Sequence, residues 1–160
     1  QSDAGQLPLD RKPVELAILL HDAARDHRST AVAKEIDLAV EIDPQVGMIN
    51  GDARRLRQAV DHLLENSLTY TPKNGRILLH AEGDAERAVI IVSDNGPGMD
   101  MAQQTAALDR FSRASEGRDT DLSLGLGLPL AKQFVEAHGG SLSLVSEPGQ
   151  GTLVRIELPR

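Results

Sequence analysis

Two periodicities alternate along this chain, and together they set its expected architecture. From Val14 to about Lys34 the residues Leu16, Leu19, Leu20, Ala23, Ala24 and His27 recur at helical spacing, which predicts an amphipathic helix. Ile36-Asp37-Leu38-Ala39-Val40-Glu41-Ile42 then alternates strictly, as a strand with one dry face does, and Asp43-Pro44 ends it. Val46-Gly47-Met48-Ile49 reads as a short further strand. Leu7-Pro8-Leu9 reads as an edge strand, because proline cannot donate to a central ladder. Helical spacing returns after Asp52, a good N-cap: Leu56, Val60, Leu63, Leu64 and Leu68 form one stripe, which Thr71-Pro72 closes.

The second half is richer in strands. Lys73-Asn74-Gly75 predicts a turn, and Ile77–Ala81 with Ala88–Val92 predict a hairpin around Asp84-Ala85-Glu86. Residues 100–124 show weak apolar periodicity and a polar composition, as a long loop that is either a functional lid or disordered does. A last helix opens at Gly125-Leu126-Gly127-Leu128-Pro129 and closes at Gly139-Gly140. Leu142–Val145 and Thr152–Leu158 then alternate as strands joined by Gly149-Gln150-Gly151.

With 160 residues, one domain with one core is expected. Two Phe, one Tyr and no Trp mean that aliphatic residues carry the packing. The net charge of −7 speaks against a general nucleic-acid or anionic-membrane surface, so any bound phosphate must be held locally. Without cysteine there are no disulfides, thiol nucleophiles or thiolate metal sites. The chain begins abruptly at Gln1-Ser2-Asp3, like an excised piece, which leaves room for a membrane-tethered parent.

Three features carry candidate chemistry. Asp94-Asn95-Gly96-Pro97-Gly98-Met99 ends a buried strand with a carboxylate and two glycines. The glycines admit close backbone approach, and an ionised Asp94 accepts an N–H such as an adenine amine offers. The same composition also suits a plain turn. On the second helix His62, Asn66 and Thr69 line one edge of the apolar stripe, so Asn66 is either a solvated amide or a hard-oxygen ligand for Mg²⁺. The glycines before the last helix offer backbone N–H groups and a helix dipole to an anion, with Arg110, Arg113 and Arg118 upstream as phosphate-facing or merely solvated cations. His21, His27, His80 and His138 read as structural.

Asn66, then Asp94-Asn95-Gly96-Pro97-Gly98, then Phe111 within Arg110-Phe111-Ser112-Arg113-Ala114, then Gly125-Leu126-Gly127-Leu128, and finally Gly149-Gln150-Gly151-Thr152 stand in a specific order. Over nearly its whole length the chain thereby resembles the catalytic, ATP-binding (GHKL, or HATPase) domain of bacterial sensor histidine kinases. The resemblance implies one domain over 1–160, an α/β two-layer sandwich of the Bergerat type. It implies a mixed sheet of about five strands, three helices on one face and an ATP lid over about 100–124. ATP or ADP and Mg²⁺ are the implied cofactors. Asn66 is then the metal ligand, Asp94 the adenine acceptor, and Gly96, Gly98 and Met99 the segment under the base. Phe111 is the lid aromatic, Gly125, Leu126, Gly127 and Leu128 lie beside the phosphates, Thr152 beneath adenine, and Tyr70 near the ribose or phosphates.

Two positions depart from the family pattern, which usually has Asn one helical turn before the metal Asn and a Lys or Arg shortly after it. Here His62 and Thr69 stand there. Neutralising the triphosphate then falls on Mg²⁺ and on Lys73 or a lid arginine, and His62 and Arg113 are the candidates for a catalytic role. The acceptor histidine would lie in a separate dimerisation domain. The expected function is Mg-ATP binding here and, in a homodimeric longer protein, γ-phosphate transfer to that histidine in a two-component phosphorelay that ends on a response regulator. The domain is expected in the cytoplasm, without nucleic-acid or direct membrane contact. A degenerate, pseudokinase-like nucleotide sensor is the alternative. Hydrolytic GHKL relatives rank last, because their Glu base would stand at His62, and Glu65 lies about a hundred degrees round the helix from Asn66.

Overall fold

A computed structural model of the chain describes residues 8–108 and 130–160. Strand β1 (Lys12–Glu15) leads into helix α1 (Leu16–Ala33), followed by β2 (Asp37–Ile42), a 3₁₀ turn (Pro44–Val46), β3 (Met48–Gly51) and helix α2 (Ala53–Tyr70). A hairpin of β4 (Arg76–Gly83) and β5 (Arg87–Asp94) comes next, then helix α3 (Met101–Leu108), helix α4 over residues 130–137, and strands β6 (Ser141–Glu147) and β7 (Gly151–Pro159). The main sheet has five strands in the order β2-β4-β5-β7-β6; only the β2–β4 pairing is parallel. That pair requires a crossover, and α2 supplies it. The mixed sheet packed under helices is the two-layer sandwich that the sequence predicts.

Alternation along the strands decides which side is dry. Leu79, Ala81, Ile90, Val92, Val154, Ile156 and Leu158 point to one face and are buried, while Ser93, Arg155 and Glu157 on the opposite face are partly exposed. Leu56, Ala59, Val60, Leu63, Leu64 and Leu68 of α2 close over the dry face together with Leu16, Leu20, Ala23 and Ala24 of α1. The Asp52 carboxylate caps α2 by accepting from the backbone N–H groups of Arg54 and Arg55. Between α1 and α2, Arg57 bridges Asp26 and Asp61, and Asp61 also meets His27 at 2.9 Å.

Three elements differ from the sequence expectation. The edge strand lies at Lys12–Glu15, while Pro8 and Leu9 are not in a strand and Leu7 lies outside the described residues; the first helix starts at Leu16, because Val14 pairs with Ile49 and is buried as a strand residue. Proline still obeys its constraint, since Pro13 lies in a two-stranded sheet. Val46–Ile49 is not one strand: Gly47, at φ +69°, breaks it between the 3₁₀ turn and β3. Within the segment read as a loop over 100–124, residues 101–108 form helix α3, begun by a reciprocal cap in which Asp100 and Gln103 each accept the other's backbone N–H at 2.8 Å. The rest of that segment, from Asp109 on, lies outside the described residues.

Candidate functional site

Strand β5 ends at Asp94, and beside it opens a cavity of about 350 Å³, within the size range of small-molecule sites. Helix α2 supplies Leu63, Asn66, Ser67 and Tyr70; β5 and the turn after it supply Asp94, Pro97, Gly98 and Met99; α3 supplies Gln103, Ala106 and Ala107; β7 supplies Thr152 and Val154. One side is therefore aliphatic, and the other is a row of oxygen and amide groups.

The polar side has a defined hydrogen-bond direction. Asp94 Oδ1 accepts from Gly96 N–H at 2.9 Å, Oδ2 accepts from Ser67 Oγ–H at 3.1 Å, and the Thr152 N–H also reaches the carboxylate. Burial pushes its ionisation above the ordinary carboxylate range, and these three donors pull it back. Next to it, Ser146 Oγ accepts from Met99 N–H at 2.8 Å and donates to Gly151 O at 2.8 Å. Its hydroxyl hydrogen is thereby used, so Thr152 Oγ1, 2.9 Å away, donates to Ser146 and turns its lone pairs outward. A ligand group facing Asp94 and Thr152 must present donors.

Asn66 is 7% exposed, and its Nδ2 has no hydrogen-bond partner among the described residues. An orphaned amide donor on a cavity wall calls for an acceptor atom on a ligand. Among the described residues no cluster of three His, Asp or Glu side chains could hold a metal ion. The Asn66 amide oxygen would suit Mg²⁺, an ion that takes few protein ligands and completes its shell with water and phosphate.

The residues singled out from the sequence divide three ways. Asn66, Tyr70, Asp94, Gly98, Met99 and Thr152 line the cavity, and buried Gly96 stands just behind Asp94. His62, Thr69 and Lys73 do not line it. The His62 ring stacks on Phe134 of α4 with centroids 6.5 Å apart, the Thr69 hydroxyl donates to Glu65 O at 2.8 Å, and Lys73 pairs with Glu35 at 3.3 Å. Phe111, Arg113, Gly125, Leu126, Gly127 and Leu128 lie outside the described residues, as do Arg110 and Arg118.

The glycines also meet packing constraints of their own. A Cβ on Gly98, whose φ is +72°, would lie 2.0 Å from the Glu147 carbonyl oxygen; one on Gly96 would lie 3.2 Å from Tyr70 O. The β6–β7 turn packed behind Gly98 therefore requires a glycine there, while Gly98 also lines the cavity. The sequence reading did not single out Ser67, Leu63, Val154 or the α3 residues. Ser67 follows Asn66 directly, but its partner is 27 residues away.

Comparison with known proteins gives this geometry a family context. Residues 51–160 match the family described as histidine kinase-, DNA gyrase B-, and HSP90-like ATPase. The chain is 40% identical over 159 residues to sensor protein DivL of Caulobacter vibrioides, covering 99% of this chain and 20% of that protein. It is 36% identical over 149 residues to sensor protein kinase PmrB of Pseudomonas aeruginosa, covering 92% of this chain and 31% of that protein. The chain thus spans less than one-third of the length of these relatives. Full-length ShkA in complex with AMPPNP superposes with a TM-score of 0.82 at 28% identity, over 96% of this chain and 32% of ShkA. The nucleotide-free catalytic domain of histidine kinase ThkA superposes with a TM-score of 0.80 over 94% of this chain and 95% of that domain, and at 20% identity it shares the fold alone.

Proposed function

This chain belongs to the histidine kinase-, DNA gyrase B- and HSP90-like ATPase family, and from that premise we propose that it binds Mg-ATP and, in a longer protein, presents the γ-phosphate to a histidine of a dimerisation domain. The observation that carries this reading is the carboxylate of Asp94, held by three fixed donors on a cavity wall beside the unpartnered amide of Asn66. An anion in that position accepts one N–H of the adenine exocyclic amine. Thr152, with its lone pairs outward, accepts a second donor or a bridging water. Leu63, Ala107 and Val154 cover the face of the base. Tyr70, at the mouth end of α2, faces the ribose or phosphate side.

Asn66 is the residue that would hold Mg²⁺, through its amide oxygen, and the ion supplies charge neutralisation between phosphate groups. In the transfer itself the bond from the γ-phosphorus to the β,γ-bridging oxygen breaks, a bond from phosphorus to an imidazole nitrogen forms, and ADP leaves. This chain contributes positioning: it fixes the nucleotide at its base end so that the γ-phosphoryl projects towards the acceptor, the contribution on which such reactions mainly depend. A response regulator then takes the phosphoryl group in a two-component relay.

One observation favours a second reading, a nucleotide-sensing module without kinase activity. His62, Thr69 and Lys73 are each engaged away from the cavity, and no Lys or Arg lines it among the described residues. Weak charge stabilisation costs rate more than affinity. The experiment that separates the two readings is to incubate the longer protein with γ-labelled Mg-ATP and assay acid-labile, base-stable phosphohistidine. The kinase reading predicts label on the dimerisation domain, lost in Asp94→Asn. Nucleotide binding without any label supports the sensor.

A further inference from the structure

Ser67 is a serine inside a helix, where its hydroxyl ordinarily bonds back to the carbonyl four residues earlier. Thr69, two positions on, does this, donating to Glu65 O. Ser67 does not. It is 7% exposed, and its Oγ–H crosses from α2 to β5 to reach Asp94 Oδ2. The other carboxylate oxygen is occupied by the Gly96 N–H, a donor that cannot reverse.

From this arrangement we propose that Ser67 is the specificity-determining residue of the cavity: it orients the Asp94 carboxylate and keeps it an anion, so that the site accepts an adenine amine and rejects a guanine carbonyl. The proposal rests on reading the cavity as a nucleotide site.

Asp94 stands half-buried on the polar side of the cavity, with no cationic side chain beside it among the described residues and the aliphatic side of the same cavity near it, and burial there favours its neutral form. With the Gly96 N–H fixed on Oδ1, a proton arriving at Asp94 would sit on Oδ2, the oxygen that Ser67 addresses. A neutral Asp94 offers an O–H as well as a C=O. It can therefore donate to the O6 of guanine, and the distinction between a donor edge and an acceptor edge is lost. The Ser67 donor opposes that protonation and fixes the direction of the remaining lone pairs. The polar side chains that line the cavity together with Asp94 are few among the described residues. From α2 come Asn66, Ser67 and the phenol of Tyr70; from β7 comes Thr152; from α3 comes Gln103. No charged side chain other than Asp94 lines the cavity among the described residues. Among them, Ser67 is the one side chain that donates to this carboxylate.

The test uses Ser67→Ala and Ser67→Cys, the second preserving volume while weakening the donor. The first readout is the carbon-13 NMR titration of the Asp94 carboxyl in the nucleotide-free protein, assigned with Asp94→Asn. Both variants should titrate at higher pH than wild type. The second is calorimetry with ATP and GTP across pH. Near neutral pH the variants should lose ATP affinity by roughly tenfold, as expected for one hydrogen bond to a charged group. They should regain it at higher pH and discriminate less against GTP as pH falls. A purely structural role for Ser67 would lower affinity without moving the pH profile, and that result overturns the proposal. An unchanged Asp94 titration overturns it even where ATP binds. If the titration rises in the variants but wild type binds no nucleotide, the reading of the cavity is what has failed, and the specificity role falls with it.

Discussion

His138 offers the sharpest test of how the fold is held together behind the site. It is 3% exposed, and its two ring nitrogens are committed: Nδ1–H donates to Phe134 O at 2.8 Å, and Nε2 accepts from Asp52 N–H at 2.9 Å. A carbonyl can only accept and an amide N–H can only donate, so the ring is the neutral Nδ1–H tautomer. It ties the end of α4 to the N-cap of α2, across 86 residues of sequence. Asp52 in turn accepts from Asp10 N–H at 3.0 Å, and Arg11 donates to Ala137 O at 3.2 Å. His138→Ala strands the buried Asp52 N–H, a cost of about 1–3 kcal/mol, and opens a void over Gly51; together we expect roughly 2–4 kcal/mol. Protonation of the wild type should mimic this loss, because two donors would then face each other at Nε2. Burial first, and the Arg11 charge second, hold the imidazole below its ordinary 6.5, against the opposing pull of the Phe134 carbonyl and Asp52. The unfolded chain therefore takes the proton first. The stabilisation is complete above pH 6.5 and fades as pH falls from there through the folded value. Urea unfolding of wild type and variant across that range measures it. The gap between them should narrow as pH falls; a gap below about 0.5 kcal/mol at neutral pH, or one independent of pH, would refute the reasoning.

Two further outcomes follow from single contacts. Gly98→Ala places a methyl 2.0 Å from the Glu147 carbonyl at a φ of +72°, so stability should fall by more than the roughly 1–2 kcal/mol of left-handed strain alone; a smaller loss in urea unfolding would show that the turn yields. Asn66→Ala should keep the apo melting temperature within a few degrees and remove the difference in thermal shift between Mg-ATP and ATP with chelator; persistence of that difference would displace Asn66 as the metal ligand.

What the sequence revealed depended on how local the deciding interaction is. The Asp52 cap, the α2 stripe, the hairpin that delivers Asp94 and the β6–β7 pair each rest on neighbours within a few residues, and each was legible. The first turn of α3 rests on the local Asp100–Gln103 reciprocal cap, but its apolar pattern is diluted by exposed Met101, so the segment read as loop and the helix was missed. Non-local contacts were not legible. Nothing near Ser67 announces Asp94, nothing near Gly98 announces the Glu147 carbonyl, and the aliphatic wall of Leu63, Ala107 and Val154 is assembled from three separate elements. His62, on the expected helix edge, is drawn away by a ring on α4 that its own helix cannot reveal. The polar side of the site was visible as a motif; its orientation came only with the fold.

Isothermal calorimetry of the wild-type chain with Mg-ATP and Mg-GTP, repeated on Asp94→Asn, tests the central claim most directly. An anionic acceptor with fixed donors on both oxygens should bind ATP and reject GTP by up to about 10⁴-fold, since guanine would oppose one acceptor with another. Asp94→Asn should lose most of the ATP affinity while remaining folded. Equal affinities for ATP and GTP in wild type, or an Asp94→Asn variant that binds ATP as tightly as wild type, would contradict the account.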